Sequence, residues 1–353
     1  MIPHIKQFKQ VISHVFAPRL DEKIGIIFDT PRHTDKDNTL WEDRRKLALE
    51  WFDVFKSLSN KMGCDVSIYD FKANGVHNKL LSDSVLADLK NFNLIIALTE
   101  YSITSSLVSL VKNNPSGMRC ASMPGAERRM HDSVYLADYK MIKVFAHSLK
   151  NLFDTAVSAH IYFSTSDELF VDLRNRIAGF DDGDCAHPGS VINFPSGEGF
   201  IAPYEGVDEE KQRFGESKTH GIIPFLYKDK IIRGLVEGNR FNDFEGSSID
   251  IVSSLNSYFN ANPSRKNIAE LGIGCNPKAQ VLGNRFEDEK AGVHIAYGMS
   301  SHLGGKVSSD VHFDLVFAKG CSVEAEQVRL LLADGSSVNI VQDSRLRYDL
   351  ISD

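Results

Sequence analysis

The sequence predicts two halves of different class. The first is an α/β domain over residues 1–145, with a parallel, Rossmann-like sheet. The second is an α+β, mainly antiparallel domain over residues 146–353. Three observations point there. A length of 353 residues suits about two domains at roughly 100–200 residues each. The first 150 residues alternate short apolar runs with helical periodicity, four times over. Beyond them the pattern shifts to short β-rich runs separated by Gly, Asp and Pro turns.

K-I-G-I-I-F-D (Lys23–Asp29) is an apolar run closed by an acid, as expected of a buried parallel strand. Leu40, Leu47, Trp51, Val54, Phe55 and Leu58 then recur near the helical period, and Gly63 stops the helix. Trp41 and Trp51 lie on that helix as core or interface anchors. Cys64–Phe71 is a second strand, L-L-S-D-S-V-L-A-D-L-K-N-F a helix, and Asn93–Thr99 a third strand. A third helix is expected to break at Pro115, before a fourth strand over Arg119–Gly125. Successive βα units favour a parallel sheet. Neither G-x-G-x-x-G nor G-x-x-x-x-G-K-[ST] follows any strand, so this half reads as scaffold or substrate wall rather than nucleotide site. Asp29, Arg32 and His33 follow the first strand, where α/β sheets often place ligands, but a polar loop is the default reading.

After the helix A-D-Y-K-M-I-K-V-F-A-H-S-L-K-N-L-F-D-T-A, the runs H-I-Y-F-S-T-S, E-L-F-V-D-L-R-N, S-V-I-N-F-P, G-F-I-A-P, H-G-I-I-P-F-L-Y and K-I-I-R-G-L-V-E-G all read as strands. One helix interrupts them, S-S-I-D-I-V-S-S-L-N-S-Y-F-N-A-N-P, and Asp334-Gly335 suits a tight hairpin. D-E-E-K-Q-R-F-G-E-S-K reads as a solvated loop, and Lys290 as an exposed charge.

Hydrophobic residues make up 42% and charged residues 25%, which excludes a disordered or fibrous chain. No run approaches the roughly 20 apolar residues of a membrane span, and charges interrupt the N-terminal M-I-P-H-I-K-Q-F-K-Q-V-I-S-H-V-F, unlike a secretory signal. With 40 Lys+Arg against 47 Asp+Glu, the net charge of −7 argues against nucleic-acid binding, and no basic cluster offers a membrane contact. Five scattered cysteines without C-x-x-C spacing read as free thiols of a reducing, cytoplasmic setting.

The second half concentrates metal-capable residues. V-H-F-D places His312 and Asp314 two apart on a strand, hence on one face. His294 lies inside the apolar strand G-V-H-I-A-Y-G, where an imidazole needs a partner. Glu198 stands between glycines in N-F-P-S-G-E-G-F, and Glu270 in an apolar run followed by Gly272 and Gly274. A carboxylate there is costly to bury unless it meets a cation. Together these residues fit a site for two divalent ions.

The ordered motifs N-F-P-S-G-E-G-F, A-E-L-G-I-G-C-N-P, D-E-K-A-G-V-H-I-A-Y-G and S-x-x-H-F-D, preceded by R-C-A-S-M-P-G and A-D-Y, resemble the aminopeptidase T family (M29 metallopeptidases, also called thermophilic metalloproteases) from about residue 119 to 340. That resemblance implies a hydrolase removing N-terminal residues from peptides, an α/β N-terminal domain, two metal ions and a homodimer. It places metal ligands at Glu198, Glu270, His294, His312 and Asp314. Zinc suits this ligand mix best, with Co, Mn, Mg or Fe as alternatives. Glu198 and Glu270 would carry catalysis with the metal.

One departure stands out: the family's tyrosine seven residues after the strand histidine is Ser301 here, followed by His302, and the segment up to His312 is shortened. Tyr297 is close by, but period two turns it away from His294. His302 is a candidate replacement proton donor, with a surface loop histidine as the plainer reading. A ring-opening branch of the family resembles 2,5-dihydroxypyridine dioxygenases. It holds one Fe(II) on two histidines and an acid, here His294, His312 and Asp314, and also lacks the tyrosine. A histidine replaces one of the carboxylates in that branch, so retention of Glu198 and Glu270 favours the two-metal hydrolase. A third reading is a non-catalytic relative that grips a peptide. The partners implied are a peptide or small-molecule substrate, with no nucleic acid or membrane.

Overall fold

The structure is a computed structural model that describes residues 4–114 and 117–351. Pro115, expected to break the third helix, lies outside the described residues. The chain divides into two compact units, Met1–Lys143 with Asp181–Ser196, and Val144–Phe180 with Gly197–Asp353. Residues 181–196 return to the first unit.

In the first unit, helix α1 (Ile5–Val15) precedes β1 (Lys23–Thr30), α2 (Thr39–Met62), β2 (Asp65–Lys72), α3 (Asp83–Leu89), β3 (Leu94–Thr99), α4 (Thr104–Lys112) and β4 (Arg119–Pro124). Asn38 starts α2 by accepting the Trp41 amide at 3.1 Å, and Gly63 ends it at φ +72°, a left-handed turn cheap only for glycine. Trp41 and Trp51 are both buried, as an anchoring role requires. Strands β3 and β4 are buried at every residue, matching their unbroken apolar runs. After α5 (Tyr139–Thr155), the chain forms β5 (Ala156–Phe163), β6 (Glu168–Asp172) and β7 (Gly179–Asp181), then returns with β8 (Val191–Asn193). The parallel sheet runs β2-β1-β3-β4-β8. S-V-I-N-F-P was expected among the antiparallel strands. It pairs parallel with β4 instead, Cys120 opposite Val191, because three apolar residues carry no sign of the partner they will find.

The second unit continues with β9 (Glu198–Ile201), α6 (Asp208–Phe214), β10 (His220–Tyr227), β11 (Lys230–Glu237), β12 (Arg240–Gly246), α7 (Ile249–Ala261), β13 (Ile268–Gly274), α8 (Arg285–Asp288), β14 (Val293–Gly298), β15 (His312–Val316), β16 (Ala325–Leu332), β17 (Ser337–Gln342) and β18 (Arg345–Leu346). They form an eight-stranded sheet, β12-β11-β10-β6-β5-β16-β17-β18, and a five-stranded sheet, β15-β14-β13-β9-β7. One apolar core joins residues of both, among them Ile161, Phe163, Ile232, Leu271, Ile273, Ile295, Phe317 and Val328. D-E-E-K-Q-R-F, expected as loop, is helix α6. Three acids open it and Lys211 and Arg213 close it, complementing the helix dipole, and Glu210 is buried against Arg176. None of the five cysteines is in a disulfide. No described helix is long and apolar enough to cross a membrane.

Candidate metal centre

The five residues expected to ligate metal all lie on the five-stranded sheet, and its register decides where they point. Glu198 is paired with Gly274 and His294 with Gly272; Glu270 and Asp314 are both paired with Ala296, and His312 with Gly298. Directly opposed residues share a face, as do residues two apart on a strand. All five side chains therefore project from one face, and each is opposed on one neighbouring strand by glycine or alanine, with Val316 on the other side of His294. Tyr297 points the other way, into the aromatic packing of Phe241, Phe259 and Phe313, as period two requires.

Two glycines give the side chains their room. A Cβ on Gly272 would lie 1.9 Å from Nε2 of His294, so the ring crosses β13 only where a side chain is missing. A Cβ on Gly274 would meet the Glu289 carbonyl oxygen and the Lys290 carbonyl carbon, both at 2.3 Å. The short turn Glu289–Ala291 thus lies directly on the strand, held by Gly274 N–H to Gly292 O at 2.8 Å and Asn276 N–H to Lys290 O at 3.1 Å.

The side chains converge. Nε2 of His312 lies 3.1 Å from Glu270 Oε2 and 3.5 Å from Asp314 Oδ1. Nε2 of His294 lies 3.5 Å from both Glu270 Oε1 and Glu198 Oε2. Ligand atoms of Glu270, His312 and Asp314 all fall within 4.8 Å of one another. The far nitrogen of each ring faces the main chain, Nδ1 of His312 to Met299 O at 2.7 Å and Nδ1 of His294 to Gly292 O at 3.4 Å. Such carbonyls fix the ring and leave Nε2 for the centre.

Electrostatics tie the set together. Burial alone would lower both histidine pKa values, but Glu270 and Glu198 raise His294 to about 10, and Asp314 and Glu270 raise His312. Burial would raise Glu270 and Asp314; the imidazoles beside them hold both below the usual carboxylate range. Donors that draw positive charge among buried carboxylates fit a divalent cation.

His302 sits in a turn (Ser301–Leu303), edge-on to His312 with ring centroids 4.8 Å apart. Its ring reaches into protein while the residue as a whole is exposed at the rim, and that burial, with the neighbouring His312, lowers its pKa to about 4. Its loop is pinned by buried Glu205, which accepts from Asn267 Nδ2 at 3.0 Å, from the Lys306 amide at 2.6 Å and from Ser300 Oγ.

Three residues were not read from sequence as part of the site. Lys290, expected exposed, is 1% exposed, because Gly274 draws its backbone onto the sheet and Glu198 and Glu289 receive its ammonium at 2.5 and 2.8 Å. Burial pushes Glu289, beside it, upward, and the Lys290 ammonium opposes that shift. Glu205 is the third. Three charges in D-E-K, directly before an apolar strand, were the available signal for the first two.

No protein-family description and no curated protein matches the sequence. Solved structures do match in shape. A 2,5-dihydroxypyridine dioxygenase from Pseudomonas putida KT2440 superposes with a TM-score of 0.66 at 14% identity, over 97% of this chain and 96% of that one. Wild-type AmpT from Thermus thermophilus superposes with a TM-score of 0.60 at 11% identity, over 97% of this chain and 98% of that one. At such identities these likenesses show a shared fold, and both neighbours are enzymes.

Proposed function

We propose that the chain is a metalloenzyme working with one divalent ion, held by Glu270, His312 and Asp314 with His294 alongside, and that it opens a hydroxylated aromatic ring with dioxygen. The observation that supports this is the convergence of donors on a single point, flanked by two imidazoles. One histidine and two carboxylates with open positions, and a second imidazole 3.5 Å from Glu270, approach the two-histidine, one-carboxylate ligand type of non-haem Fe(II) oxygenases. When bound, such an ion supplies the redox chemistry that brings dioxygen and an electron-rich ring together. The chain's own groups do the rest. Met299 and Gly292 carbonyls orient the two rings, Glu270 lies between them, and His302 at the rim is the candidate for proton exchange with substrate. The exposed Ser301, standing where the peptidase pattern has tyrosine, and the dioxygenase among the structural neighbours agree with this reading.

A second reading, metal-dependent release of N-terminal residues from peptides, is favoured by the carboxylate excess: Glu198 and Glu289 adjoin the set, and carboxylate-rich sites suit hydrolytic ions such as Zn. Metal analysis under anaerobic purification separates the two. One iron per chain, with dioxygen uptake on 2,5-dihydroxypyridine, supports the first. Two zinc-like ions, with amino-acid release from free-amine peptides, support the second and defeat the first.

A further inference from the structure

A buried ammonium is costly unless carboxylates surround it, and a buried pair of carboxylates is equally costly without a cation. Lys290 meets both needs at once. Its Nζ lies 2.5 Å from Glu198 Oε1 and 2.8 Å from Glu289 Oε1, with all three residues buried. The other oxygen of Glu198 faces His294 Nε2 at 3.5 Å. Next to the Glu270–His312–Asp314 set, an ammonium therefore spans two carboxyl groups, one of which also faces an imidazole: these are the donor types of a divalent-cation site, with Lys290 standing between them. Backbone geometry, rather than a flexible side chain, puts the ammonium there. Gly274 admits the turn that carries Lys290, and the bonds Gly274 N–H to Gly292 O and Asn276 N–H to Lys290 O lock it in place.

We propose that Lys290 is a built-in counter-cation occupying the position of a second divalent ion, so that the centre takes one ion, and that removing this charge opens a latent second site on Glu198, Glu289 and His294. The inference rests on Glu270, His312 and Asp314 being an ion-binding set. It goes beyond that reading by assigning the ion count to one side chain. It also explains why Glu198 persists in a one-ion centre: its partner is an ammonium.

The test is titration of the full chain with Mn²⁺, counted by native mass spectrometry and followed by EPR, which reports whether two manganese ions are close enough to couple. Wild type should take one Mn²⁺ per chain and show an uncoupled spectrum. Lys290→Met, similar in length and uncharged, should take two and show a coupled pair. Lys290→Arg should stay at one, and Lys290→Met with Glu198→Gln should fall back from two to one. Two ions bound to wild type, or a folded Lys290→Met with the wild-type count, would overturn the proposal. Should Lys290→Met not fold, the wild-type count decides alone. Failure of the underlying reading looks different: wild type would bind no ion, and Lys290→Met gaining one over it would still support the counter-cation role.

Discussion

Gly272 contributes to the candidate centre by what it lacks. Its missing side chain is the space that the His294 ring occupies, so Gly272→Ala should push the ring from its place without touching a ligand. The expected result is roughly 10- to 100-fold weaker metal binding, the usual effect of disturbing the support of a ligand, with about 1–3 kcal/mol of overpacking. Calorimetric metal titration and urea denaturation measure the two separately, and wild-type affinity in this variant would refute the role. His312→Ala and Asp314→Asn remove donors outright and should leave a folded protein with little bound metal, read by elemental analysis beside circular dichroism. His302 meets the donor set edge-on at the His312 ring. His302→Gln should therefore keep the metal and lower turnover about 10²-fold or more, the typical size of a proton-transfer contribution. Unchanged turnover would make it the plain loop histidine of the simpler reading.

At the scale of elements, β4 begins on a buried charge. Arg119, 1% exposed, sends one nitrogen to the carbonyls of Phe16 and Cys185 at 2.5 and 2.6 Å and another to Glu22 at 2.5 Å. One guanidinium thereby ties the end of α1, the approach to β1 and the segment 181–196 to the sheet. Arg119→Met would strand Glu22 as a buried, unpaired carboxylate, and the expected cost is about 3–5 kcal/mol. Urea denaturation would show it, and the double change with Glu22→Gln should recover part of the loss; a cost below 1 kcal/mol would mean Glu22 finds water instead. The five-stranded sheet shows a second kind of element-level design. Its site face alternates functional side chains with Gly272, Gly274, Ala296 and Gly298, while its other face carries Leu271, Ile273, Val293 and Ile295 into the core. One strand thus serves chemistry and stability through its two faces.

For the molecule as a whole, stability depends on pH through several groups, and two buried ones in the first unit act in opposite directions. His131 is caged by Phe8, Trp51 and Tyr135, and burial first, then Arg128, lower its pKa to about 4. The unfolded chain binds that proton sooner, so its share of stability is present above about pH 6.5 and is lost as pH falls toward 4. Asp29 behaves inversely. Burial raises it to about 6, against the Glu100 amide and Arg44, so its share is present below about pH 4 and is lost as pH rises toward 6. Each is worth about 3 kcal/mol at most, and the two nearly cancel. Against wild type, His131→Phe should therefore gain less or lose more stability as pH rises from 4 to 6.5, whereas Asp29→Asn should gain more or lose less over the same window. Urea midpoints at pH 4.5 and 6.5 check this, and parallel shifts in both variants would refute it.

Much of this was legible in the sequence itself because it depends on local period and composition. The four parallel strands from Lys23 to Pro124, the long helix ended by Gly63, and the one-face placement of His312 and Asp314 follow from spacing along the chain. Tertiary structure alone decided what depends on distant partners. Val191–Asn193 joined the parallel sheet, the acidic stretch after Val207 became a helix because Arg176 receives Glu210, and Lys290 was buried because Gly274 left its backbone room beside Glu198. The physical reason is common to all three: a charge or a short apolar run states its own preference, but only the folded chain supplies the counter-charge or the neighbouring strand that satisfies it.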